Sequence, residues 1–194
     1  NIIPYENLNN INIAVECFNK HIENNSKIGI IIDCDCDGLC SSAIIYKYIC
    51  DIVPFADIQY FIHKGKQHGL SYDIEIPDDI QLLIIPDAGS NDSEQCKALK
   101  EKGIDIIILD HHICDKKNPY AIVVNNQLSD NYSNKDFCGA GITYKFCKAL
   151  DEENWTEYAD KYLDLVALGN IADCMDIRSY ETKYYINEGL KNIN

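Results

Sequence analysis

The sequence predicts an α/β fold, with a mainly parallel sheet of about five strands flanked by helices. Short runs of apolar, β-branched residues alternate along the chain with longer segments in which apolar residues recur at helical spacing. The short runs are continuously apolar, which is typical of strands buried on both faces of a parallel sheet. Since the sequence has no internal repeat and no low-complexity linker, we expect one domain over residues 1–194.

The first half of the chain supplies two helices and two strands. A helix is predicted where Ile11, Val15 and Phe18 share one face, and a buried strand is predicted by the run IGIIID that follows. The second helix is expected to start just after Gly38. In chain order, these four elements are predicted at 10–23 (helix), 28–33 (strand), 39–52 (helix) and 58–62 (strand).

The second half of the chain supplies three more strands and four more helices. Each of the three apolar runs is too short for a helix, and the polar segments between and after them carry apolar residues at helical spacing. The predicted strands are 82–85, 104–109 and 121–124, and the predicted helices are 92–102, 140–151, 156–169 and 181–190.

The composition agrees with one globular domain. The chain has 194 residues, of which 46% are hydrophobic and 25% are charged, and no apolar run approaches the length of a membrane span. The first ten residues lack the basic and apolar regions of a signal peptide. Ten cysteines occur without a CxxC pair, which indicates reduced core thiols of a cytoplasmic protein rather than a zinc knuckle.

The net charge of −14 is unfavourable for a protein that binds nucleic acid over a broad surface. Two bound divalent cations would neutralise only part of this charge. If the substrate is a long strand, its basic contact surface must be local, or it must lie on an additional domain or a protein partner.

Acidic residues and histidines follow several of the predicted strands. Because the carboxyl ends of parallel strands meet at one edge of a sheet, these side chains are expected to lie close together. Mixed carboxylate and imidazole ligands are more typical of a manganese or magnesium site than of a zinc site built from thiolates. The segments are DCDCDG at 33–38, PDAG at 86–89 and DHH at 110–112, and a later helix ends at Asp173.

The first acidic segment alone leaves simpler interpretations open. Three carboxylates on one side of an extended chain repel one another unless a cation neutralises them, but a solvated acidic loop is also compatible with the pattern. A calcium-binding EF-hand loop is not compatible with the pattern. Its twelfth position would be Ile44 instead of glutamate, and a strand instead of a helix precedes the loop.

Taken together and in order, these motifs resemble the DHH phosphoesterases, and within them the RecJ-type single-strand exonucleases. The resemblance covers residues 11–191. The motifs are IIDCDCDG, PDAGS and LDHH, followed by CGAGITYKFCKAL and LVALGNIADCMDI, while FIHKGKQHGLS at 61–71 resembles the substrate loop of the RecJ branch.

The resemblance implies a site for two divalent cations, Mn²⁺ or alternatively Mg²⁺. It implies catalytic roles for three residues: Asp87 would bridge both ions, Asp110 would orient the His111 ring, and His112 would stabilise charge that develops on the phosphate. The implied metal ligands are Asp33, Asp35, Asp37, Asp87, His111 and Asp173.

Substrate contacts are expected from the loop and from the second helix. The loop carries Lys64, Lys66 and His68, where the RecJ pattern leads us to expect an arginine and a tyrosine. Lysine binds phosphate as a point charge and does not grip it bidentately. Ser41 lies near the start of the second helix, where it would contact phosphate or, alternatively, cap the helix.

The implied activity is hydrolysis of a phosphodiester by a metal-activated water, with release of mononucleotides from a single strand. A phosphodiesterase for cyclic dinucleotides or short oligonucleotides is an alternative with the same metal site. A non-catalytic RecJ-like replication scaffold is a second alternative, although all six ligand positions are filled. The family's C-terminal substrate-binding domain is expected to be absent from this chain.

Overall fold

Five parallel strands form one sheet at the centre of the described residues, in the order β2-β1-β3-β4-β5. The computed structural model describes residues 1–63, 68–70, 74–115 and 117–193. The strands are β1 (Ile28–Ile32), β2 (Ile58–Ile62), β3 (Leu82–Pro86), β4 (Asp105–Asp110) and β5 (Ile122–Asn125). The predicted fold class and all five predicted strands are thus confirmed.

In the part of the chain that the structure describes, six α-helices flank the sheet: α1 (Ile11–Glu23), α2 (Cys36–Ile52), α3 (Ser93–Glu101), α4 (Gly139–Asn154), α5 (Leu163–Ala172) and α6 (Tyr180–Asn192). Three predicted helices differ in extent, and one of them, predicted at 140–151, runs three residues further to Asn154. The helix predicted at 39–52 begins three residues earlier, and the helix predicted at 156–169 is a 3₁₀ turn at Ala159–Tyr162 followed by α5. No helix among the described residues combines the length and the hydropathy needed to cross a bilayer.

Apolar side chains cover both faces of the sheet. Ile30 and Ile84 pack into one core with α1, α2 and α4, whereas their neighbours Ile31 and Ile85 pack into a second core on the side of α3. Successive side chains of a strand point to opposite faces, so both neighbours must be apolar when both faces are covered. This packing accounts for the continuous apolar runs in the sequence.

The strand order creates a crevice at the carboxyl end of the sheet. From β1 the chain passes outward to β2 and then returns across β1 to β3, so the direction of winding reverses between β1 and β3. Open parallel sheets bind ligands at such a switch point. The residues after β1 and after β3 are therefore the expected place for a site.

A buried ion pair ties the start of the chain to α4 and α6. Lys145 Nζ lies 2.8 Å from Glu181 Oε1, and both side chains are buried. Lys145 donates to the carbonyl oxygen of Ile3 at 2.6 Å, and Glu181 accepts from the Ile3 amide at 3.0 Å and from the Tyr132 hydroxyl at 2.9 Å. Burial lowers the pKa of Lys145. Each charge therefore depends on the other for its compensation.

Replacing Lys145 by methionine is expected to lower the free energy of unfolding by about 3–5 kcal/mol, because Glu181 would remain buried without its cation. The double variant Lys145→Met/Glu181→Gln should regain most of this loss, since it leaves no unpaired charge. Urea denaturation followed by circular dichroism measures both variants. A loss below about 1 kcal/mol in the single variant would show that the pair contributes no more than an exposed one.

Candidate metal centre

The ends of β1, β3 and β4 bring carboxylates to one edge of the sheet. Asp33 follows β1, Asp87 follows β3, and Asp110 is the last residue of β4. Each of these three side chains is only 1% exposed. Burial at this level disfavours a carboxylate unless hydrogen bonds or a cation compensate its charge.

His111 lies at the centre of this edge. Its Nε2 is 3.2 Å from Asp87 Oδ1, 3.5 Å from Asp173 Oδ2 and 3.8 Å from Asp37 Oδ2. These carboxylates come from the end of β3, the end of α5 and the first turn of α2. Elements far apart in the sequence thus converge on one imidazole nitrogen.

The six residues expected to bind metal fall into two groups of three. One group is Asp37, His111 and Asp173, and the other is Asp33, Asp35 and Asp87; within each group the candidate ligand atoms lie within 4.8 Å of one another. The contact between Asp87 and His111 joins the two groups. The two groups form adjacent sets of candidate ligands, here called the two cradles. The cradle with His111 offers oxygen and nitrogen, and the cradle with Asp33 offers oxygen only.

Several atoms in these cradles are buried without a hydrogen-bond partner. They are Asp33 Oδ1, both carboxylate oxygens of Asp87 and His111 Nε2. The atoms of Asp87 and His111 that lie 3.2 Å apart do not have hydrogen-bond geometry. Burial, and then the charge of Asp37, raise the pKa of Asp87. Divalent cations would supply the missing partners, and oxygen and imidazole donors suit Mn²⁺ and Mg²⁺.

The N-terminus of α4 holds the Asp37 carboxylate. The Gly139 amide donates to Asp37 Oδ2 at 2.6 Å, and the Ala140 amide donates to Asp37 Oδ1 at 3.0 Å. These amides lie at the positive end of the helix dipole, which favours a carboxylate there. Asp37 is therefore oriented by a helix that begins about 100 residues later in the chain.

Two glycines permit this close approach. A Cβ atom at Gly139 would lie 2.2 Å from Asp87 Oδ1, and a Cβ atom at Gly169 would lie 2.2 Å from Asp37 Oδ1. Neither distance is compatible with a real side chain. Asp87 itself has a left-handed backbone with φ of 66°, and its amide donates to the Leu109 carbonyl at 2.7 Å. Such a backbone stores strain of a few kcal/mol at most, and aspartate tolerates it better than most residues.

Asp110 orients His112, and the expectation that it orients the His111 ring is wrong. Asp110 Oδ1 lies 2.8 Å from His112 Nδ1 and accepts the main-chain amides of His111 and His112 at 2.7 and 3.0 Å. This hydrogen bond raises the pKa of His112 to about 9. Although burial opposes ionisation of Asp110, hydrogen bonds from His112 and Ser90 hold its pKa at about 2. The ring of His112 is half exposed, and in the metal-free protein this pKa favours its protonated form at neutral pH.

The residues expected to contact the substrate differ in where they lie relative to the site. His68 Nδ1 lies 2.7 Å from Asp33 Oδ2, with its ring exposed at the edge of the site. Lys64 and Lys66 lie outside the described residues. Ser41 is fully buried within α2, which argues against the expected phosphate contact. It does not cap the helix either, because α2 begins at Cys36 and the Asp35 side chain accepts from the Gly38 amide at 2.9 Å.

Sequence reasoning missed two residues that support the His112 segment. Asn125 is fully buried at the end of β5, and its side-chain amide donates to Ser90 Oγ at 3.0 Å and to the His112 carbonyl at 2.9 Å. The Ser90 amide in turn donates to Asp110 Oδ2 at 3.0 Å. A polar residue at the end of an apolar strand, as Asn125 is, was the available signal.

Comparison of the chain with known proteins identifies its family. The family model described as "DHH family, N-terminal domain" matches residues 27–170. The chain is 52% identical over 192 residues to YorK, from the SPbeta prophage of Bacillus subtilis, which is provisionally named a single-strand DNA-specific exonuclease. It is 29% identical over 184 residues to the single-stranded-DNA-specific exonuclease RecJ of Haemophilus influenzae. It covers 33% and 31% of these two relatives, about a third of their length.

Comparison with solved structures also shows similarity to RecJ. A crystal structure of exonuclease RecJ bound to manganese matches 95% of this chain and 48% of its own, with a TM-score of 0.85 and 25% identity. RecJ of Thermus thermophilus in complex with Mn²⁺ matches 95% of this chain and 27% of its own, with a TM-score of 0.79 and 25% identity. The five-stranded sheet and its helices are therefore shared with RecJ.

Proposed function

Because the chain belongs to the DHH family, we propose that it hydrolyses phosphodiester bonds of single-stranded DNA with two divalent cations, Mn²⁺ or Mg²⁺. The observation that carries the proposal is the pair of joined cradles with buried, unpartnered ligand atoms. The relatives YorK and RecJ, which are named for single-strand DNA exonuclease activity, support the choice of substrate.

The two cradles support a proposed assignment of ligands to the two cations. Asp37, His111 and Asp173 would hold one, and Asp33, Asp35 and Asp87 the other, with Asp87 positioned to serve both because it contacts His111. When bound, such a cation pair lowers the pKa of a water and withdraws charge from the phosphate. The α4 amides keep the Asp37 carboxylate in place, and the Leu109 carbonyl fixes the backbone of Asp87.

His112 supplies a positive charge at the open side of the site. Asp110 keeps its ring protonated and fixes its direction, and Asn125 holds the main chain behind it. A cationic ring in this position would donate a hydrogen bond to a non-bridging phosphate oxygen and stabilise the charge that develops there. We therefore propose His112 as the catalytic residue that contacts the substrate, with Asp110 as its positioning residue.

Replacing His112 by alanine is expected to lower kcat by about 10²–10³, the usual cost of losing one donor to a developing oxyanion. The affinity for Mn²⁺ should change less than kcat, because the ring is hydrogen-bonded to Asp110, which is not a proposed metal ligand, and meets His111 only by ring packing at 4.4 Å. Steady-state kinetics and manganese titration by calorimetry measure the two effects. Ile113→Ala, at an exposed neighbouring residue, is the matched control. A large loss of manganese affinity in His112→Ala would mean that this ring is a metal ligand.

The net charge of −14 favours one competing substrate class, cyclic dinucleotides or very short oligonucleotides, which need less basic surface than a long strand. For a strand, Lys64 and Lys66 are the proposed additional contacts, since they lie four and two residues before His68 in the chain. Another part of a longer protein, or a partner, would supply further basic surface.

The deciding experiment is manganese-dependent cleavage of end-labelled single-stranded DNA, with cyclic dinucleotides and dinucleotides assayed in parallel. Stepwise shortening of the strand is expected. Cleavage of the small substrates alone would reassign the substrate class while keeping the metal site. A protein that binds Mn²⁺ weakly and cleaves neither would instead be a non-catalytic scaffold.

A further inference from the structure

A second cluster of metal-binding side chains lies beside the proposed manganese site. Asp33, Cys34 and His68 each offer a ligand atom, and the three atoms lie within 4.8 Å of one another. The imidazole is in direct contact with the carboxylate, at 2.7 Å between Nδ1 and Oδ2. The Cys34 thiol is partly exposed and the His68 ring largely so, which leaves both open to an ion from solvent.

We propose that these three residues bind a thiophilic divalent cation of the Zn²⁺ class. One sulfur, one nitrogen and one oxygen form a donor set that zinc accepts readily, whereas Mn²⁺ and Mg²⁺ prefer oxygen. Bonds of 2.0–2.3 Å in a tetrahedron place ligand atoms roughly 3.3–3.8 Å apart. Ligand atoms that lie within 4.8 Å of one another would reach this spacing through small shifts of Cys34 and His68, while the buried Asp33 stays in place. Three protein ligands leave the fourth position to water.

Asp33 connects this cluster to the manganese site. Its Oδ2 faces His68, while its buried Oδ1 has no hydrogen-bond partner, and its carboxylate also lies in the group with Asp35 and Asp87. An ion bound to Cys34 and His68 would compete for the charge of Asp33 and fix the His68 ring at the rim of the site. Zn²⁺ would therefore inhibit the hydrolysis, a consequence that rests on the proposed function.

The other group with the same donor types is not equivalent. Cys17, His21 and Asp105 lie at the opposite end of the sheet, where Asp105 begins β4. Both nitrogens of His21 already have partners, Ser26 Oγ at 2.9 Å and Asp105 Oδ2 at 3.0 Å, and Asp105 also pairs with Lys100. In this group the imidazole and the carboxylate are already paired with other residues, whereas the thiol of Cys34 and the ring of His68 are open to solvent.

The test uses Co²⁺ as a spectroscopic substitute for zinc, titrated into the metal-free, reduced protein. The proposed manganese ligands include no sulfur, so a near-ultraviolet thiolate-to-cobalt band reports only a cysteine site. The band is expected in the unmodified chain and in Cys36→Ser, the matched control, because Cys36 is exposed and lies outside the cluster. It should disappear in Cys34→Ser. Its persistence in Cys34→Ser, or its loss only in Cys17→Ser, would overturn the proposal.

Inhibition provides a second readout. Loss of a residue that merely supports a metal ligand costs about 10–100-fold in affinity, so Cys34→Ser should raise the half-inhibitory Zn²⁺ concentration at least tenfold. Unchanged inhibition in Cys34→Ser would contradict the proposed competition for Asp33. A protein that shows the cobalt band but cleaves no substrate would refute the proposed function and leave the thiophilic site standing.

Discussion

Replacing Asp87 by asparagine is expected to abolish manganese-dependent hydrolysis and, at the same time, to stabilise the metal-free protein. Both carboxylate oxygens of Asp87 are buried without a hydrogen-bond partner. Without a cation, this buried carboxyl destabilises the fold, and with a cation pair it would be the proposed ligand shared between the two cradles. The same substitution is therefore expected to lower the manganese-dependent activity and to raise the stability of the metal-free protein.

The size of both effects follows from burial. Activity should fall by at least about a thousandfold, because removing a single donor to developing charge already costs 10²–10³ and Asp87 would serve both cations. Stability in EDTA should rise by about 1–3 kcal/mol, because the amide removes one charge from the buried carboxylates and brings an N–H donor beside Asp37. Asparagine also tolerates the left-handed backbone at this position, so no new strain opposes the gain.

Cleavage assays and urea denaturation, each with Mn²⁺ and with EDTA, measure the outcome. Asp105→Asn is the matched control, since Asp105 stands at the opposite end of the sheet and pairs with His21 and Lys100. It should lose some stability and keep its activity. Substantial manganese-dependent cleavage by Asp87→Asn would refute the assignment of the site.

Much of the fold was predictable because it depends on local pattern. The runs around Ile30, Ile84 and Ile107 are continuously apolar, and the sheet buries them on both faces. The start of α2 was mispredicted because Gly38 was interpreted as a helix boundary. It lies inside the first turn instead, where a Cβ atom would lie 2.5 Å from Asp33 Cβ. Glycine is there for the close approach of two chain segments, which sequence pattern does not reveal.

The site was predictable at the level of which residues meet, and less so at the level of which atoms touch. The rule for parallel strands brought Asp33, Asp87 and His111 to one edge, as observed. The predicted hydrogen-bond partner of Asp110, the His111 ring, was wrong. A carboxylate at the end of a strand can turn towards either of the next two residues, and the side-chain torsions decide between them. The orientation of Asp37 by α4 depends on a contact across 102 residues.

Replacing Gly139 by alanine is expected to impair manganese binding more than it impairs the fold. The backbone of Gly139 is not left-handed, so alanine would be favoured here by helix propensity alone. The obstacle is steric, since the new Cβ atom would lie 2.2 Å from Asp87 Oδ1 and 2.7 Å from Asp87 Cβ. Asp87 is anchored through its amide to the Leu109 carbonyl, so the N-terminus of α4 must move.

That movement separates the α4 amides from the carboxylate of Asp37, which loses the two hydrogen bonds that orient it. Groups that orient a metal ligand contribute about 10–100-fold to metal affinity, and we expect a loss of this size in a calorimetric Mn²⁺ titration, with activity falling at least in parallel. Overpacking alone should cost about 1–3 kcal/mol of stability.

Gly141→Ala distinguishes this effect from general damage to α4. It lies two residues further along the same helix, and its Cβ atom would press on the Phe137 ring at 2.5 Å, on the side of the hydrophobic core and away from the carboxylates. This control should lose comparable stability and retain its manganese affinity at temperatures where it is folded. Equal losses of metal affinity in both variants would mean that α4 acts on the site only through the stability of the fold. A loss confined to Gly139→Ala would identify the helix N-terminus as the element that positions the metal ligands.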